Sequence, residues 1–190
     1  GVVNLAVGYE FLKLVEERRG KVERIPRSIL FAGRLSPEKG IDRILAGIAG
    51  IPGTQRRDVV INIVGDGPER DRLQDLSEHL SLKADFLGFK TPREIVDCYL
   101  QNDIFISLNT HEPFGITYLE ALCCGCRIVC PQTGGQRDFS DRFGHSFTYV
   151  DAASTAGVGG GILEALESPQ GHDAEKNYAR IVNEYNFKRV

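Results

Sequence analysis

From Ser28 onward the chain alternates short apolar runs with segments whose apolar residues recur every three or four positions. "SILFAG" (28–33) is an apolar run closed by glycine and predicts a buried strand. "SPEKGIDRILAGIAG" (36–50) opens on a Ser-Pro start signal and carries Ile41, Ile44, Leu45 and Ile48 at helical spacing. "DVVINIVGDG" (58–67) reads as a second strand ending in a Gly-Asp-Gly turn. "PERDRLQDLSEHL" (68–80) reads as a charged amphipathic helix with Pro68 suited to its first position. "KADFLG" (83–88) is a third strand, and "TPREIVDCYLQ" (91–101) a helix capped by Thr91 with Pro92 behind it. "DIFISL" (103–108), the helix "FGITYLEALCCG" (114–125), the strand "RIVCP" (127–131) and the strand "SFTYV" (146–150) continue the alternation. A stretch with Gly157, Gly159, Gly160 and Gly161 and two helical segments close the chain.

Continuous apolar strands alternating with helices predict a parallel sheet covered on both faces. The expected fold is doubly wound α/β, a Rossmann-like sheet of about six strands. Residues 1–27, with Phe11, Leu12 and Val15 set among charges, are expected to form a linker or N-terminal arm. Residues 28–190 form the domain. Ligands of such sheets sit outside the carboxyl ends of the strands, and the motifs of interest all follow a strand there.

Composition narrows the classes. The chain has 190 residues, 42% of them hydrophobic, enough for one well-buried domain and barely enough for two small ones. A formal charge of −3 argues against a nucleic-acid partner, which selects a basic excess. No apolar run reaches bilayer length, and "GVVNLAVGYEF" lacks the basic start and cleavage site of a signal peptide. The chain contains no Met, so residue 1 is not expected to be a translational start, and the sequence is expected to be a fragment or a processed product from which upstream residues were removed. Cys98, Cys123, Cys124, Cys126 and Cys130 are odd in number and crowded, unlike a disulfide framework. They fit reduced thiols of a cytosolic protein. "CCGC" lacks a second ligand pair at zinc spacing, which leaves packing as its reading.

Five loops carry candidate chemistry. "GRLSPEKG" (33–40) presents Arg34 and Lys39 near a helix start, a fork and a point charge suited to a diphosphate. Solvated loop charges partnered by Glu38 are the ordinary alternative. "GDGP" (65–68) permits close backbone approach, as does any tight strand-to-helix turn. "DFLGF" (85–89) has backbone groups suited to a base edge, with Phe86, Leu87 or Phe89 alongside. "THEPFGITYLEALCCG" (110–125) sets Gly115 at a helix N-terminus, with Glu112 before it and Glu120 one to two turns inside. Glu120 lies among apolar residues and needs a partner if buried; a vicinal diol is a good one. "TGGQRD" (133–138) again offers glycines on the same rim. No stretch satisfies the dinucleotide fingerprint, which excludes an NAD-binding reading, and none is a Walker loop.

Taken together and in order, "GRLSPEKG", "IVGDGPERDRL", "FLGF", "EPFGITYLEA" and "TGG" resemble the nucleotide-binding C-terminal domain of retaining glycosyltransferases of family 4, which have the GT-B fold. The resemblance runs over roughly residues 28–140, and the separation of Glu112 and Glu120 matches that family's paired-glutamate element. It implies that Arg34 and Lys39, with Gly33 in the same loop, bind the donor diphosphate and stabilise the leaving nucleotide. It implies that Glu112 contacts the donor sugar, that Phe114, Gly115, Ile116 and Thr117 cradle sugar and phosphate, and that Glu120 holds the ribose. Leu87 is expected to border the base. The implied reaction moves a hexosyl unit from a UDP-, GDP- or ADP-linked sugar to an acceptor hydroxyl with retention, without a metal or other cofactor. The family pattern departs at Arg127, where a proline is common, and at Asp138, where a glutamate is common. The acceptor, whether glycan, lipid or small molecule, would bind an N-terminal domain lying before residue 1. The expected location is cytoplasmic, or peripheral at the inner face of the membrane through that domain. A non-catalytic sugar-nucleotide-binding subunit and a GT-B epimerase are the alternatives.

Overall fold

A computed structural model of the chain describes residues 7–110, 115–133, 142–168 and 174–185. Six strands form one parallel sheet in the order β3-β2-β1-β4-β5-β6. They are β1 (Ser28–Ala32), β2 (Val60–Val64), β3 (Ala84–Gly88), β4 (Ile104–Ile106), β5 (Arg127–Pro131) and β6 (Phe147–Val150). The chain starts in the middle of the sheet, winds outward through β2 and β3, then returns to build β4 to β6 on the other side of β1. The order therefore reverses between β1 and β4, the position where a doubly wound sheet opens a crevice. The doubly wound α/β class expected from the sequence is the observed one.

The period of two along each strand divides the core into two layers. Leu30, Phe105, Ile128 and Cys130 point to one face, where they meet α1 (Tyr9–Arg18), α5 (Pro92–Gln101), α6 (Ile116–Cys123) and α8 (Ala174–Glu184). Ile29, Phe31, Ile61, Ile63, Ile104, Ile106 and Val129 point to the other, against α2 (Ile41–Ala49), α4 (Arg70–His79) and α7 (Thr155–Glu167). A four-residue helix, α3 (Gly53–Arg56), links α2 to β2. Only β3, at the sheet edge, alternates half-buried with exposed residues, as an edge strand should.

Several boundaries move for local reasons. The Ser-Pro signal at 36–37 starts a 3-10 turn, Pro37–Lys39, rather than α2. Gly40 then turns left-handed (φ 67°), and α2 begins at Ile41. Pro68 precedes α4 without joining it, because the Glu69 amide is bonded to the carbonyl of Leu35 at 3.2 Å. Thr91 does cap α5, through a reciprocal capping box with Glu94. The glycines at 157–161 lie inside α7. A Cβ on Gly159 would sit 2.5 Å from the carbonyl oxygen of Gly47, so this helix crosses α2 almost backbone to backbone. Within the segment read from sequence as an arm, α1 packs into the core through Leu12 and Val15, and its Arg18 forms a two-pronged ion pair with Asp97 of α5.

The five thiols are free and buried. Burial pushes Cys123, Cys126 and Cys130 up to about 12, so they behave as small apolar side chains. Among the described residues no helix is long and apolar enough to cross a membrane, and no group of three or more His, Cys, Asp or Glu is placed to hold a metal ion.

Candidate functional site

The carboxyl rim of the sheet is built first from backbone. The amide of Gly33 bonds to the carbonyl of Val64, that of Leu35 to Asp66, and that of Gly65 to Gly88, all at 2.8–3.0 Å. The loops after β1, β2 and β3 are thus laced side by side. Gly65 and Gly67 make this possible. A Cβ on Gly65 would lie 1.9 Å from the carbonyl oxygen of Gly33, and one on Gly67 would lie 2.3 Å from that of Leu35. The close approach that "GDGP" allows is therefore to the neighbouring loop, and its effect is to fix where Arg34 and Lys39 stand.

Arg34 is exposed on this rim, and Lys39 is half-buried at the end of the 3-10 turn. Among the described residues neither forms an ion pair within 4 Å. Glu38, the partner considered for them, is occupied elsewhere. Its carboxyl is held below the usual range chiefly by the Ser36 hydroxyl and its own amide, with smaller pulls from Lys39 and Arg34. Both cations therefore act on the same small region around Glu38, and among the described residues neither is held in an ion pair.

The second wall is α6. Gly115 is buried and left-handed (φ 65°), and its carbonyl accepts from the amides of Tyr118 and Leu119. This entry leaves the amides of Ile116 and Thr117 without intrahelical acceptors, at the positive end of the helix dipole. Ile116 is 38% exposed on the rim and Thr117 half-buried. Glu112 and Phe114 lie outside the described residues, as do the glycines of "TGGQRD" and Asp138.

Glu120 lies one turn deeper, half-buried on α6. Burial raises its carboxyl to about 7, and the Tyr99 hydroxyl, donating to Oε2 at 3.4 Å, opposes part of that rise. Tyr99 was not singled out in the sequence. It comes from α5, is fully buried, and stands edge-on to Phe105 and Phe11. The partner sought for Glu120 is thus present in part as a protein hydroxyl. Among the described residues this one long bond leaves most of the capacity of a carboxylate unused. At the far side of the rim Leu87, near the end of β3, is 38% exposed and Phe89, just past it, is 84% exposed.

A family model described as glycosyl transferases group 1 matches residues 16–182. A GDP-mannose-dependent alpha-mannosyltransferase of Mycobacterium tuberculosis is 39% identical over 108 residues, covering 57% of this chain and 26% of that protein. An uncharacterized glycosyltransferase of Bacillus subtilis is 30% identical over 180 residues, covering 93% of this chain and 48% of that protein. Among solved structures, sucrose-phosphate synthase from Thermosynechococcus elongatus superposes with a TM-score of 0.76 at 22% identity, over 93% of this chain and 47% of that one. Anabaena HepE, solved in complex with UDP-glucose, superposes with a TM-score of 0.71 at 22% identity, over 94% of this chain and 49% of that one. The chain spans between about a quarter and a half of the length of these relatives.

Proposed function

The chain belongs to the glycosyl transferases group 1 family, and on that footing we propose that it is the donor-binding half of a retaining, family 4 hexosyltransferase with the GT-B fold. The observation that carries this reading is the arrangement of the rim. Two cations that form no ion pair among the described residues, on a backbone-locked turn, a helix N-terminus and a half-buried carboxylate all stand at the carboxyl end of one parallel sheet. A nucleoside diphosphate needs a cationic site for its phosphates and an acceptor for its ribose hydroxyls, and these groups supply both.

In this reading Arg34 and Lys39 bind the diphosphate, and the amides of Ile116 and Thr117 add hydrogen bonds from the helix end. Negative charge grows on the diphosphate as the bond to the sugar breaks. Donors fixed in advance at that position lower the barrier without having to reorganise. Glu120 accepts from the ribose hydroxyls, and Leu87 and Phe89 flank the base. The resemblance assigns the donor-sugar hydroxyls to Glu112. The GDP-mannose dependence of the mycobacterial relative supports a nucleoside-diphosphate sugar as the donor class. We place the acceptor site and any membrane contact on a second domain of the full-length enzyme, and the protein in the cytoplasm.

Calorimetric titration of the chain with UDP, GDP, ADP and NAD tests this. One nucleoside diphosphate should bind, NAD should not, and Arg34→Ala and Glu120→Ala should each weaken binding by about tenfold or more. Equal affinity of both variants and the parent chain would overturn the assignment.

A further inference from the structure

A run of aromatic rings crosses the core from α1 to α6, and Tyr99 stands within it. Its ring is edge-on to Phe11 of α1, with centroids 6.1 Å apart, and to Phe105 of β4 at 5.6 Å. Phe105 is in turn edge-on to Tyr118 of α6 at 5.9 Å. The carbonyl of Tyr99 accepts from the Cys126 thiol at 3.1 Å and from the Asn102 amide at 3.3 Å. Backbone and ring are both held, and only 1% of the residue is exposed. The hydroxyl at the end of a ring packed in this way has little freedom to move.

That hydroxyl donates to Oε2 of Glu120 at 3.4 Å. Burial, reinforced by the charge of Glu120, pushes the phenol well above its usual range, so it stays protonated and remains a donor. Among the described residues no cation pairs with Glu120, and its other oxygen accepts no hydrogen bond. If the fold needed only an acceptor for the phenol, a neutral oxygen would serve. The helix would then be spared a half-buried carboxylate with no cation beside it. A charged acceptor held at one oxygen by a fixed donor is the arrangement of a group aimed at a ligand.

We propose that Tyr99 is a positioning residue for nucleotide binding: its hydroxyl fixes one oxygen of Glu120 and so presents the other to the ribose diol. This rests on the placement of the ribose at Glu120 proposed above. A free glutamate samples several rotamers, and a ligand must freeze them as it binds. A carboxylate that is already anchored loses less. At 3.4 Å the bond is long for a hydroxyl and a carboxylate, so it directs the group without consuming its charge.

Calorimetry with UDP, GDP and ADP, each against its 2′-deoxy form, tests this on the parent chain, Glu120→Ala, Tyr99→Phe and the double variant. The parent should prefer the ribonucleotide it binds over the deoxy form by about tenfold, and Glu120→Ala should abolish that preference. Tyr99→Phe keeps the ring and its packing. It should cut the preference to about threefold or less while leaving affinity for the deoxy form unchanged; a merely structural role would weaken both forms alike. Adding Tyr99→Phe to Glu120→Ala should change nothing further. A parent that binds none of the three or shows no preference, or a preference that survives Glu120→Ala, would refute the ribose placement and the proposal with it. A preference abolished in Glu120→Ala but kept in Tyr99→Phe would overturn the role of Tyr99 alone, as would equal weakening of both forms or a further change in the double variant. Melting curves check folding. Should Tyr99→Phe not fold, 3-fluorotyrosine placed at residue 99, a stronger donor of nearly the same shape, takes its place, and an unchanged ribose preference would then overturn the proposal.

Discussion

Glu120 shows how a single residue can be set against the stability of its own fold. Its carboxyl rises from 4.5 to about 7 because burial penalises the charge more than the Tyr99 hydroxyl relieves it. The folded chain therefore holds more protons than the unfolded chain between those values. Stability must fall as pH rises through that window. Above it the charged form costs on the order of 3 kcal/mol. Glu120→Gln should accordingly raise stability at pH 8, and the gain should vanish below pH ~4.5, where both forms are neutral. Urea unfolding at several pH values reads this directly. The same substitution should weaken nucleotide binding, because an amide offers one uncharged accepting oxygen where a carboxylate offers two charged ones. A substitution that stabilises the fold and weakens the ligand is the expected mark of a functional group. Loss of stability at pH 8 would mean that Glu120 serves the fold.

At the scale of elements, glycines decide how close the pieces come. Gly159 and Gly160 are neighbours in α7 with opposite surroundings. A Cβ on Gly160 meets nothing within 4 Å, whereas one on Gly159 meets the backbone of Gly47 at 2.5 Å. Gly160→Ala should stabilise by roughly 0.5–1 kcal/mol through helix propensity alone. Gly159→Ala should cost about 1–3 kcal/mol by forcing α2 and α7 apart. Gly65→Ala should be more damaging still, since the clash is with backbone at 1.9 Å and the residue has a φ of 122°. Thermal melts of the three variants should fall in that order.

These contacts also explain what was legible in the sequence. Parallel strands buried on both faces leave continuous apolar runs, so β1, β2 and β5 could be placed from pattern. The Gly-rich stretch could not, because what keeps it helical is a through-space approach to Gly47. The docking of α1 was obscured by its narrow apolar face, Leu12 and Val15 in a helix otherwise rich in charge. In the site, Arg34, Lys39, Gly115 and Glu120 stood out because each falls at a fixed offset from a strand or helix start. Tyr99 gave no such signal. It lies 21 positions from Glu120 on another helix, and only packing brings the two together.

On the scale of the whole molecule, the chain presents one rim of a sheet and spans roughly half or less of its relatives. We expect the purified chain to bind donor nucleotide but to transfer little or no sugar unaided; robust transfer by these residues alone would place the acceptor site here instead. The central claim is that the nucleotide sits on the carboxyl rim between the β1 loop and α6. Backbone amide chemical-shift mapping tests it most directly, with the nucleoside diphosphate that calorimetry selects. Shifts should concentrate at residues 33–39, 87–89 and 115–120, with the amino end of the sheet around Ser28 and Asp103 unmoved. Shifts centred at that opposite end, with Gly33, Ile116 and Thr117 unchanged, would contradict it.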